Sequence, residues 1–144
     1  MQDNRPIVHG YIGSQGRFSV NPEGEVTSSV PIGGGSMLID TGATATVIDA
    51  ELASNLSLPE TEVRYENSVT GIGGEVPVRQ FTGAIYLSTW ALTIPATFSA
   101  IPLFRQVGFV AVIGMDILSQ YVLVVDGPGR RVDFYLPLWQ HCGL

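Results

Sequence analysis

The chain contains no lysine, and all seven of its basic residues are arginine. Without an ε-amino group it has no Schiff-base nucleophile and no P-loop ammonium. Charged residues make up only 14% of the sequence, and their balance is −6. Arg130-Arg131 is the only basic pair, so nothing forms the clustered positive surface that a nucleic-acid phosphate backbone requires. A single cysteine, Cys142, excludes an internal disulfide. Two histidines and one cysteine do not assemble a zinc site, and His141-Cys142 are adjacent, whereas a nucleophile and its base need separate rigid elements. No metal or other cofactor is therefore expected. The longest apolar stretch, Val107 to Met115, is closed by Asp116 well short of a membrane span. Met1-Gln-Asp-Asn-Arg-Pro carries no hydrophobic signal region, so the expectation is a soluble chain with no membrane partner, cytoplasmic by default.

What the sequence has is apolar residues, at 45%, with 17 glycines and nine prolines among 144 residues. Short alternating runs are punctuated by turn residues about every ten positions, which predicts one all-β domain over 1–144. Strands are expected at Ile7–Ile12, Phe18–Val20, Glu25–Ile32, Ser36–Ile39, Tyr65–Thr70, Glu75–Val78, Thr82–Ser88, Ala91–Ser99, Val110–Ile113, Tyr121–Val125 and Arg131–Leu136. Asp126-Gly-Pro-Gly-Arg130 reads as the turn of a C-terminal hairpin. Two short helices are predicted, Asp49–Leu56 with Asp49 as its cap and Met115–Gln120.

Three segments carry chemistry. Leu38-Ile-Asp-Thr-Gly-Ala-Thr44 places a carboxylate directly after an apolar strand, where neither its charge nor its proton is cheap to change. Ser68 to Val78 has two alternating arms around Gly71-Ile72-Gly73-Gly74, the pattern of a β-hairpin able to close as a lid. Phe109 to Leu118 is an apolar strand that runs through Gly114 into a short helix. Read singly, these segments have structural alternatives: a strand-to-turn junction, a surface hairpin and core packing.

Together, and in this order, they resemble the retropepsin family of single-domain aspartic peptidases. Leu38-Ile39-Asp40-Thr41-Gly42-Ala43 matches the catalytic motif, and Gly71 and Gly114 follow Asp40 by 31 and 74 residues as flap and apolar-apolar-Gly motif. The resemblance is clearest over residues 36–136 and implies a closed β-barrel or sandwich with a flap hairpin. It implies that Asp40 is the catalytic acid, that Thr41 grips a partner subunit's loop, and that the Gly42 carbonyl binds substrate backbone. It also maps Leu38, Ala43, Val47, Val69, Gly71, Ile72, Gly73, Gly74, Val110 and Val112 to substrate binding. The apolar ones among them imply a peptide or polyprotein cut between hydrophobic residues. Thr44 and Met115 stand where many viral members carry an acid and an arginine, so both charges of that pair are absent together. Peptide hydrolysis of this type needs two carboxyls, and the chain has one Asp-Thr-Gly, so a homodimer with an active site on its two-fold axis is expected. The competing reading is a dimer of the same fold that binds peptides without cutting them.

Overall fold

The computed structural model describes residues 5–14, 18–67 and 75–136. Its strands are β1 (Ile7–Gly13), β2 (Ser19–Val20), β3 (Val26–Thr27), β4 (Ile32–Ile39), β5 (Val47–Asp49), β6 (Glu60–Asn67), β7 (Glu75–Leu87), β8 (Leu92–Ile101), β9 (Ala111–Ile113), β10 (Val122–Asp126) and β11 (Arg131–Tyr135). The helices are α1 (Ala50–Asn55), α2 (Phe104–Val107) and α3 (Met115–Leu118), with a 3-10 turn at Ser88–Trp90. The main sheet runs β1-β4-β9-β5-β8-β7-β6, and β1 also pairs with β7, so six strands close into a barrel from whose rim β6 extends. This is the expected all-β barrel.

Closure depends on glycine. Gly13 pairs with Ala84 at the β1–β7 seam, and a Cβ on neighbouring Gly83 would stand 2.7 Å from the Gly13 carbonyl oxygen. Inside the barrel, Ile12, Met37, Ile48, Ile85, Phe98 and Ile113 are fully buried, each contributing the ~1.5–3 kcal/mol of an enclosed large apolar side chain. The β10–β11 hairpin forms a separate sheet, with the expected turn held by the Gly129 N–H donating to Asp126 Oδ1 at 3.0 Å. Its Phe134 ring packs at 5.0 Å from Trp90, anchoring the hairpin on the barrel.

Several boundaries differ from expectation for identifiable reasons. The glycine run Gly33–Gly35 does not break the chain, because β4 is continuous through it. Side chains of Leu52, Tyr11 and Val110 occupy the space that Cβ atoms at these three positions would need. The expected strand Glu25–Ile32 is instead β3, a bend before Pro31, and the start of β4. The two strands expected over 75–88 are one, β7, and β5 and α2 are additional to the expected elements. Pro77 sits where β7 is paired only with β6, since pairing with β8 begins at Arg79, an edge position of the kind to which proline is confined in sheets.

Asp49 joins distant segments. Its Oδ2 accepts the Leu52 N–H at 3.2 Å, the cap expected for α1. Its Oδ1 accepts the N–H groups of Leu103 and Phe104 at 2.9 and 3.0 Å, which fixes the start of α2. The residue is buried, so truncation leaves these donors without an acceptor, the Leu103 N–H in a buried setting. Asp49→Ala is expected to lower stability by about 2–4 kcal/mol in urea unfolding, with Asp49→Asn falling between it and the native protein.

Candidate active site

Asp40 follows the last residue of β4, and its N–H still donates to the Ile113 carbonyl of β9 at 3.0 Å. The chain then turns sharply: the Ala43 N–H donates to the Asp40 carbonyl at 3.2 Å, and the Gly42 N–H donates to Asp40 Oδ1 at 2.8 Å. A Cβ at Gly42 would lie 3.2 Å from that same oxygen, so glycine lets the backbone approach the carboxylate closely. Asp40 is half-buried, while Thr41 and Gly42 are exposed. Among the described residues the Thr41 hydroxyl bonds to nothing. The acid is thus fixed on one oxygen and presented at the surface, beside a free hydroxyl.

Gly114 forms the floor of this loop. Any Cβ there would come within 2.7 Å of the Ala45 carbonyl oxygen and 2.8 Å of that of Ala43. The following amides support the loop, with the Met115 N–H donating to Ala43 O at 2.7 Å and the Asp116 N–H to Thr44 O at 3.2 Å. Gly114, 74 residues after Asp40 in the sequence, is therefore packed against the loop that Asp40 opens.

Strand register assembles the apolar residues. Leu38 pairs with Val112 across β4–β9, and Val112 pairs with Val47 across β9–β5. All three are half-buried, whereas Ile39, Ile48 and Ile113 beside them point into the core. Leu38 lies two residues before Asp40 and so on the same side of the strand. Leu38, Val112 and Val47 form a row next to the acid. Val110 is set back from it, buried against Gly35 and lining a cleft of about 370 Å³ with Leu52 and Phe104. Ala43 is half-buried in the loop itself. Val69, Gly71, Ile72, Gly73 and Gly74 lie outside the described residues.

Two polar features escaped the sequence reading. The row continues from Val47 to Ser99 and from Ser99 to Gln80, both buried and joined by a 2.6 Å hydrogen bond from Gln80 Nε2 to Ser99 Oγ. The other is Thr46, wholly buried and bonded to the Asp116 carboxylate. Between β7 and β6, Arg79 forks onto Glu60 with bonds of 3.0 and 2.9 Å. That hydrogen-bonded pairing holds the Glu60 carboxyl below the usual carboxylate range.

A closed β-barrel that presents an Asp-Thr-Gly turn over a glycine floor, beside an apolar row, defines a peptidase of the aspartic class. The chain belongs to the aspartyl protease family, whose sequence profile matches residues 24–117. No curated protein sequence matches it. Among solved structures, it is similar to a retropepsin-like aspartic protease from Rickettsia conorii, at 16% identity and a TM-score of 0.47 over 83% of this chain and 86% of that one. It is also similar to the EIAV protease in complex with an inhibitor, at 22% identity and a TM-score of 0.37 over 60% of this chain and 75% of that one.

Proposed function

We propose that two copies of the chain pair about a two-fold axis and hydrolyse peptide bonds with one Asp40 from each. The observation that carries this reading is that Asp40 is the described aspartate that stands beside the apolar row in the turn above Gly114, its carboxylate accepting only the Gly42 N–H of that turn. Asp49 caps two helices, Asp116 holds Thr46, Asp126 closes the hairpin turn and Asp133 pairs with Arg131. The second acid then comes from another copy, and the exposed Thr41 hydroxyl is available to grip the partner's loop.

Two carboxyls about 3 Å apart share one proton, because both cannot be ionised at that separation. The ionised member takes a proton from the attacking water, and the protonated member polarises the scissile carbonyl. A mechanism that needs one acid and one base gives a bell-shaped rate profile. The Gly42 carbonyl binds the substrate backbone, and the Leu38–Val112–Val47 row receives hydrophobic side chains flanking the cut. Pairing of β6 with β7 up to Asn67 opposite Glu75 supports a hairpin whose tip, residues 68–74, closes over the substrate as a flap.

Subunit mixing tests the shared site. An Asp40→Asn chain, exchanged in equal amount with the native one, leaves about one quarter of randomly paired dimers with both acids. Activity is expected near that quarter of the value for the same total of native chain, and activity per chain is expected to fall on dilution through the dissociation constant. Half the activity, with no dilution dependence, would show that each chain acts alone.

A further inference from the structure

We propose that Asp116 is a positioning residue for the catalytic turn, acting through Thr46. Asp116 Oδ1 accepts the Thr46 hydroxyl at 2.7 Å and the Ile117 N–H at 2.9 Å, while Oδ2 accepts the Thr46 N–H at 3.0 Å. The Thr46 hydroxyl in turn accepts the Gly114 N–H at 3.0 Å, and the Thr46 carbonyl accepts the Ser99 N–H at 3.3 Å. The turn that Asp40 opens is therefore clamped at its far end through every polar group of Thr46. The same side chain ties that end to Gly114, the residue beneath the turn.

The chemistry of the clamp is demanding. Three donors converge on Asp116, so both of its oxygens must accept. An amide in the same place keeps one acceptor and turns a donor toward a donor, either the Thr46 N–H or the Thr46 hydroxyl and Ile117 N–H. The Thr46 hydroxyl must donate and accept at once, which serine can do and valine cannot. Slack at this end is felt at Asp40, because only a few residues of turn separate them. Catalysis by paired acids depends on alignment that an ångström of displacement disturbs. The apolar row is spared, since Leu38, Val47 and Val112 are held in β4, β5 and β9. Loss of the clamp thus falls on turnover more than on substrate affinity.

This inference rests on the peptidase reading, and kinetics of the full chain on a hydrophobic peptide, at concentrations where dimers dominate, separate the two. D116N and T46V are each expected to lower kcat about ten- to a hundredfold with KM within about twofold, and T46S to stay close to native. The double variant D116N/T46V should lose no more than the worse single variant, because both break one network. Full kcat in folded D116N, a loss expressed mainly in KM, or additive losses would each overturn the proposal. Asp116 is exposed, so D116N decides the matter even where T46V, altered at a buried position, does not fold. A native enzyme that cuts nothing in the same assay would instead remove the peptidase reading, whereas a native enzyme matched by its variants removes only the clamp.

Discussion

Asp40→Asn is expected to reduce turnover by about a thousandfold or more while leaving the thermal transition in place. The amide retains an oxygen for the 2.8 Å hydrogen bond from the Gly42 N–H, so the turn keeps its internal support. It carries no exchangeable acid proton near neutral pH, so neither activation of water nor polarisation of the carbonyl survives. An unbiased peptide-library digest with both proteins, alongside calorimetry, measures the two halves of this prediction. Equal cleavage by the variant would assign the activity to a contaminant, and a large fall in melting temperature would show that the carboxylate is a structural group.

The second large effect is expected at Gly114. Its backbone angles, φ −100° and ψ −175°, are open to any residue, so the constraint is space and not conformation. A methyl group at this position meets two carbonyl oxygens of the catalytic loop inside 3.0 Å, and backbone cannot rotate aside as a flexible side chain does. Gly114→Ala is expected to cost about 2–3 kcal/mol, with Gly114→Val costing more, and to depress activity further by lifting the turn that carries Asp40. Gly127→Ala provides the contrast, because nothing lies within 4 Å of a Cβ there, and its stability should match the native protein. Urea unfolding of the three variants reads the difference directly. Equal stability of Gly114→Ala and Gly127→Ala would mean that the loop gives way and does not rest on its floor.

The turn at Asp40, the cap at Asp49 and the hairpin turn at Asp126 were legible because each is written in a few consecutive residues. Carboxylate, hydroxyl and glycine at fixed local offsets satisfy nearby N–H groups whatever surrounds them. Strand alternation was legible for the same reason, since it needs only a period of two. The glycines misled where they served packing: Gly33–Gly35 reads as a break, yet the strand continues because side chains from β1, α1 and the approach to β9 fill the missing Cβ volume. The helix α2 was invisible because the group that fixes its first amides, Asp49, lies 54 residues earlier in the chain.

The sequence by itself determined the class of chemistry, because Asp40-Thr41-Gly42 and the later Gly114 are needed as residue types in that order. It also determined that a second acid is not encoded in a second copy of the motif. Only the tertiary structure decided which side chains share a face with Asp40. Cross-strand register, which aligns Leu38 with Val112 and Val112 with Val47, is set by closure of the whole barrel and not by any local pattern. The same is true of Thr46 and Asp116, 70 residues apart, whose bond exists because β9 lies between β4 and β5 and delivers α3 beneath the catalytic turn.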